Sequence, residues 1–585
     1  MSCVYAQILP APGAKLHYNQ VMFEYEKVKG VNKYVLQLAE DDPGNSFDHL
    51  IARQTDSSTA TMISGLAFGK KYKWRYAGLN NNEQPVWQGP YYFEIDIDSF
   101  INKHIVNFVV TQNDTGNTGL IVIDATHTIV DRRGNLVWYL NNNDWFFKFS
   151  TRTVTKDTVR TVYKDMEVKP DILDMRLTGA GTITYLKDSF AIECDLNSNK
   201  LWQAPNNGQV SEIGSEGYNH DFKRLPNGHY MVLGQELLRR LPAYTDTIKL
   251  KKKYPYRQIH NGREYGEVEF GTIIEYDKSG KVVWSWNSHN YLDSDALKPV
   301  PKDRNFDYQL RPHINAFSVD RNNEFVYAGF RDISRVVKIE KHTGKVVDSW
   351  GSSIMNGGVA HPVAFHLQHD ANVFDDGTIA VFNSNDYPGR DSVPDVMLIL
   401  QQPADGESVI WQYNCEMSAA QRHNTRNGGN VDQLKNGNYL VCMGNSDRIF
   451  EITSAKKIVW QGEIKMHDID GTKYSHRLYR AHYISSLYPC YFVFDISTDT
   501  IHKTMPGFDT RIFNKGSEND SYEVKLTNSS GKIIQQFVTD IVPANKSVII
   551  HIKAIPKNRK GDTLQITVVS KTDPDFERHR YVVIN

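Results

Sequence analysis

The chain has 585 residues, with 67 Lys and Arg against 68 Asp and Glu and a formal net charge of −1, a balance that excludes a general nucleic-acid binder held by a basic surface. Charged residues make up 23% and aromatics 11%, which suits a packed globular chain of about three or four domains and not a disordered one. No apolar run approaches the ~18 residues of a membrane-spanning helix, so no transmembrane segment is expected.

The first residues, Met1 to Gln7, lack a charged segment followed by an apolar one. Two readings stay open: a cytosolic chain, or a periplasmic or secreted one that starts after an export signal, with Cys3 as a lipid-anchoring cysteine. Cys194, Cys415, Cys442 and Cys490 show no CxxC spacing, so no structural zinc is expected.

Residues 1–98 contain the alternating segments Tyr34–Leu38 and Leu66–Tyr76. The second is similar to a characteristic strand of fibronectin type III domains, and an N-terminal β-sandwich is expected.

Residues 99–487 repeat. A turn, an apolar pair and a tryptophan recur at Gly134–Trp138, Asn199–Trp202, Gly280–Trp284, Gly344–Trp350, Glu407–Trp411 and Lys456–Trp460, the tryptophans spaced by 49 to 82 residues. Upstream lie tight turns at Leu225–Gly228, Phe374–Gly377 and Leu434–Gly437, with Val319–Asn323 as a degenerate copy; Asn-Gly and Asp-Gly supply the positive φ a hairpin needs. About four strands repeated six times predict an all-β, six-bladed β-propeller, the uneven spacing fitting blades with variable loops better than a solenoid. The insertion at 236–270, with its basic run Lys249–Tyr256, reads as a solvated loop or as a lid drawing anions. Residues 488–585 alternate again at Ser521–Leu526, Ser547–Ile552 and Leu564–Val569, a C-terminal β-sandwich.

Innermost propeller strands converge on one axis, so register can be counted from the turns. Eight residues before Gly228 stands His220, eight before Gly377 stands His369, and eight before Asn323 stands Asn315. His313 lies two residues earlier, on the same face by period 2, and Arg331 lies eight residues after Asn323. Three histidines could form a metal site, but there is no acidic second shell and an arginine opposes a cation, so an anion site is the better reading and no metal is expected. His366 is placed on the face opposite His369. Arg335 and Arg448 read as structural ion-pair residues, Asp221 and Asp370 as orienting a histidine or capping a turn, and Tyr479–His482 as closing the ring.

The strings Asn219–Gly228, His313–Asn315 with Arg331 downstream, Val336–Val347 and Gln368–Asp370 resemble bacterial arylsulfate sulfotransferases. The resemblance implies a six-bladed propeller that moves a sulfuryl group between phenols by a ping-pong route through a sulfohistidine, with no nucleotide donor and no cofactor. It implies His369 as nucleophile, His220, His313 and Arg331 as catalytic partners and Asn315 as a substrate-binding residue. The partners are then an aryl sulfate and a phenol; a homodimer is left open. The competing readings are a propeller binding a glycan or protein, and a quinone-dependent dehydrogenase, which normally needs more blades and a vicinal cysteine pair.

Overall fold

The computed structural model describes residues 8–44, 46–79, 85–97, 106–141, 146–154, 159–167, 172–211, 214–240, 258–260, 263–292, 312–351, 361–385, 393–402, 408–416, 427–466, 478–502, 505–553 and 561–585. Cys3, the run Lys249–Tyr256 and part of the insertion around it lie outside these residues.

Six antiparallel sheets of four principal strands surround one axis. Counted outward, the first blade is Ala481–Ile484, Leu120–Ile123, Thr128–Asp131 and Leu136–Tyr139; the second is Ile172–Leu177, Ile183–Lys187, Phe190–Cys194 and Lys200–Gln203. The third is Asn219–Arg224, Tyr230–Arg240, Arg263–Tyr276 and Val282–Asn287; the fourth is Ile314–Val319, Phe325–Phe330, Arg335–Glu340 and Lys345–Gly351. The fifth is His369–Val373, Ile379–Asn383, Asp395–Ile399 and Val409–Asn414; the sixth is Asn430–Gln433, Tyr439–Cys442, Arg448–Ile452 and Ile458–Met466, edged by Val106–Asn113. The innermost strands neighbour one another in cyclic order, and the ring closes where Ala481–Ile484 pairs with Leu120–Ile123.

Both repeated sequence pieces have a physical role. The hairpin turns joining first and second strands carry left-handed residues at Gly228 (φ 80°), Gly377 (φ 85°), Gly437 (φ 81°) and, in the degenerate copy, Asn323 (φ 58°). Every repeat tryptophan sits on an outermost strand. Five of them donate the indole N–H to a carbonyl in the turn before the next blade's outermost strand: Trp138 to Leu196 (2.7 Å), Trp202 to Lys278 (3.2 Å), Trp284 to Lys341 (2.8 Å), Trp411 to Ser454 (2.8 Å) and Trp460 to Arg132 (2.9 Å). The tryptophan fills the wedge between blades and satisfies its own polar edge there.

A second set of bonds joins the blades near the axis. Each blade offers a side-chain oxygen to a backbone N–H of the next: Asp124 to Asp174 (3.2 Å), Asp174 to Phe222 (2.8 Å), Asp221 to Phe317 (3.0 Å), Ser318 to Val373 (3.1 Å), Asp370 to Val431 (3.0 Å) and Asp432 to Tyr483 (3.1 Å). Asp221 and Asp370 therefore clasp the following blade, a role different from orienting the preceding histidine or capping a turn. Arg335 and Arg448 do occupy equivalent places, each opening the third strand of its blade; Arg335 donates to the Tyr291 hydroxyl (3.3 Å) and Arg448 to the Glu416 carbonyl (2.6 Å) and Gln461 (2.8 Å).

Two sandwiches flank the ring. The first stacks Val21–Glu24 and Ala60–Ile63 on a five-stranded sheet around Phe23, Leu36 and Trp74. The second packs a three-stranded on a five-stranded sheet around Phe492, Val524, Ile552 and Ile566. They meet through Met22, Ala60, Val493 and Phe513 and through Arg578, which holds both oxygens of the buried Glu24 (2.6 and 2.7 Å). The first sandwich touches the outermost strand of the first blade, Asn19 bonding Val137 and Leu136. The second meets turns at one end of the ring. Arg224 and Lys435, beside turns between first and second strands, reach Asp573 (3.1 Å) and Asp575 (2.7 Å), and Glu518, respectively, while Lys278, in the turn between third and fourth strands, pairs with Asp575.

Candidate active site

At the opposite ends of the innermost strands, regular pairing breaks down. Asn219 pairs Leu233 and Phe222 pairs Val232, so His220 and Asp221 bulge out; Asn315 is the extra residue between Ile314 and Ala316, and the fifth blade slips between His369 and Asn372. Such bulges re-aim side chains. Left-handed backbone accompanies them at Asp174 (φ 52°), His220 (φ 61°), His313 (φ 53°) and Asp370 (φ 63°), a conformation costing of order 1–3 kcal/mol at each non-glycine residue. Fixed bonds hold it: the Arg331 N–H donates to the His313 carbonyl (2.8 Å).

The structure brings the sequence-selected residues together. The rings of His220 and His313 lie 5.0 Å apart between centroids, with the two Nε2 atoms 3.1 Å apart. His313 Nδ1 faces Asp332 (3.3 Å), whose carboxylate also takes a 2.6 Å bond from Arg331. His369 opens the fifth blade's innermost strand, buried, with Nδ1 2.9 Å from the Ser384 hydroxyl. Burial first, then the charges of Arg331, His313, His220 and Arg480, hold its pKa well below the ordinary 6.5. Asn315 is fully buried and spends one amide hydrogen on the Gln368 carbonyl (2.9 Å), so it fixes the residue before His369. His313 and Asn315 do not share a strand face, since His313 precedes the strand in left-handed backbone and Asn315 sits in a bulge. His366 likewise lies ahead of the His369 strand, separated from it by the left-handed Leu367 (φ 53°).

Four residues at the site were not selected from sequence: Tyr479, Arg480, Asp332 and Ser384. The segment before the closing strand contributes the first two. Tyr479 places its hydroxyl 2.8 Å from His220 Nδ1 and its ring edge-on to His369 at 6.4 Å. Arg480, buried among the clasps, donates to the Asn315 carbonyl (3.1 Å) and lies 3.5 Å from both Asp221 and Asp370. Burial works against its charge, but Asp221, Asp174 and Asp370 together outweigh burial and keep its pKa well above the ordinary value. Asp332 and Ser384 follow the second strands of their blades, Ser384 directly, as Arg331 does in the fourth. Counting forward from each turn, as for Arg331, leads to within one residue of Ser384; nothing local marks Tyr479, which reaches the axis only because the ring closes there.

The assembled group can present a neutral imidazole nitrogen beside a guanidinium and two further imidazoles, a donor set suited to an oxyanion. The arylsulfotransferase family model matches residues 106–449. No curated protein matches the chain. Among solved structures, a protein of unknown function from Bacteroides caccae is 12% identical, with 63% of this chain and 100% of that one covered and a TM-score of 0.35. Streptogramin B lyase follows at 10% identity, 62% and 98% coverage and a TM-score of 0.31, and luciferin-regenerating enzyme at 10%, 64%, 99% and 0.28. The propeller assignment rests on the six sheets themselves.

Proposed function

The chain belongs to the arylsulfotransferase family, and from that premise we propose that it carries a sulfuryl group from an aryl sulfate to a phenol through a covalent intermediate on His369, without a nucleotide donor. The observation that carries this reading is the environment of His369: a buried imidazole, kept neutral by burial and Arg331, whose Nδ1 is taken by Ser384. With Nδ1–H donated to the serine hydroxyl, the lone pair is on Nε2, which attacks sulfur.

In the first half-reaction the N–S bond forms as the aryl S–O bond breaks, and the electron pair leaves on the phenolate oxygen. The transferring unit is planar and spreads charge over three oxygens, as in phosphoryl transfer, so its stabilisation needs donors placed in advance. Arg331, fixed by Asp332, supplies a planar fork. His313, with Nδ1–H directed at the Asp332 carboxylate, is the acid–base group: the Nε2 proton it takes from the acceptor phenol of one cycle is the one it gives to the leaving phenolate of the next. Asn315 acts through the backbone, holding Gln368 and hence the start of the His369 strand. The acceptor phenol then attacks sulfur and regenerates free imidazole. A periplasmic or secreted setting goes with the same reading.

Incubation with a chromogenic aryl sulfate and a phenol, with no nucleotide, tests it. Sulfate passes to the phenol, and double-reciprocal plots at several acceptor concentrations run parallel. Intersecting lines, or release of sulfate to water alone, would refute the covalent route. No turnover across a panel of aryl sulfates would leave a propeller that only binds.

A further inference from the structure

We infer that Tyr479 is a positioning residue for sulfuryl transfer: its hydroxyl fixes the tautomer of His220 so that Nε2–H is presented to the aryl oxygen of the donor. The inference rests on the reading of the site given above. It starts from a chain of contacts, Tyr479 hydroxyl to His220 Nδ1 (2.8 Å), His220 Nε2 to His313 Nε2 (3.1 Å) and His313 Nδ1 to Asp332 (3.3 Å).

Once His313 has given its Nε2 proton to the leaving phenolate, its remaining hydrogen is on Nδ1, because an ionised carboxylate only accepts, and its Nε2 carries a lone pair. Across 3.1 Å the facing nitrogen must then donate, which puts the hydrogen of a neutral His220 on Nε2. His220 Nδ1 is left as an acceptor, and the Tyr479 hydroxyl is what it accepts from. Burial raises the Tyr479 pKa to about 12, so the phenol keeps its proton at neutral pH. The hydroxyl also lies 3.5 Å from the Asn315 carbonyl, but its single hydrogen serves the contact at 2.8 Å. The backbone cannot drift, since the Tyr479 N–H donates to Asp124 (3.1 Å) and its carbonyl accepts from Gly429 (2.8 Å).

Two Nε2 atoms 3.1 Å apart address one substrate atom between them. His313 exchanges a proton with the aryl oxygen, so His220 Nε2–H points at that same oxygen, where charge develops as the S–O bond breaks. Without the tyrosine hydroxyl, the other tautomer of His220 turns a lone pair toward that charge. No proton leaves Tyr479 during the cycle.

The test is Tyr479→Phe, which keeps the ring and removes the hydroxyl, assayed with 4-nitrophenyl sulfate and with unsubstituted phenyl sulfate. A nitrophenolate needs little help to leave and phenolate needs much. We expect kcat to fall only a few-fold on the first and ~10²-fold on the second, with KM nearly constant. Equal losses on both substrates would mark Tyr479 as merely structural and overturn the inference. His220→Gln provides a check that does not depend on how well the single variant packs. A glutamine amide has no tautomer to fix, so adding Tyr479→Phe to it costs nothing further on phenyl sulfate, whereas a further ~10²-fold loss would again overturn the inference. Absence of transfer in the wild-type chain would instead refute the sulfotransferase reading on which the inference stands.

Discussion

At His369, burial and cationic neighbours act in one direction, and the sign of their effect can be worked through. The folded chain takes up the His369 proton only well below the ordinary 6.5, whereas the unfolded chain takes it up near that value. The stability this neutral ring contributes is therefore present above 6.5 and is lost as pH falls from there toward the folded value. Formation of the His369 adduct from 4-nitrophenyl sulfate should stay flat through pH 6.5 and drop only at lower pH. In Arg331→Gln the drop moves upward but remains below 6.5, because burial is the larger cause; rapid-quench mass analysis across pH measures both limbs. Arg331→Lys keeps the charge but loses the fork, and its transfer rate should fall by ~10²-fold or more; a near wild-type rate would remove Arg331 from the transition state. His369→Asn should give no adduct in intact-mass spectra after donor alone. Counting from turns found His220, His369 and Asn315 because a repeat keeps register. It misjudged how His313 relates to Asn315, since a bulge and a left-handed residue, with no glycine to announce them, break the period of two.

The innermost strand is the element on which site and scaffold meet. In the third and fifth blades the residue after each site histidine is the clasp to the next blade, so the bulge that turns a histidine to the axis also turns a carboxylate toward the neighbour. Asp221 is fully buried, accepts the Phe317 N–H and faces Lys223 (3.6 Å), Arg176 (3.4 Å) and Arg480 (3.5 Å). Asp221→Ala would take from Lys223, Arg176 and Arg480 the carboxylate they share, and urea denaturation should show a loss of about 3–5 kcal/mol. At the closure, His482 lies 3.0 Å from Asp432 and 3.6 Å from Asp174. Burial and Arg176 press its proton off, but the carboxylates outweigh them and hold its pKa above 6.5. That contribution is complete below 6.5 and is lost as pH rises through the folded value. Thermal melting should therefore decline over that interval, and the decline should flatten in His482→Asn. Turns and tryptophans were legible because each is a local requirement; the clasps were not, because each joins residues about 50 to 100 positions apart.

Across the whole molecule, the ring has two faces with different duties. The histidines gather where the innermost strands begin, while the C-terminal sandwich grips the turns where those strands end, at Arg224 and Lys435. Arg578→Ala, at the joint between the sandwiches, removes the cation that holds both oxygens of the buried Glu24 and should lower the first calorimetric transition, by about 3–5 kcal/mol in the sandwich unit, while transfer at the distant site continues at the wild-type rate. The sandwiches were legible as alternating segments, but their docking was not, since Glu24 and Arg578 lie at opposite ends of the chain. The closing strand has a consequence in time. Blades two to five each complete themselves from contiguous chain, but the first blade is missing its innermost strand until residues 481–484 arrive, some 360 positions after its second strand. Contacts of that sequence separation are slow to form. Folding should thus pass through an open arc, in which blades two to five gain amide protection early and Leu120–Ile123 gains it late, in step with Ala481–Ile484. Because Tyr479 and Arg480 arrive with that last strand, the arc is also inert: the chemistry is assembled by the same event that shuts the ring.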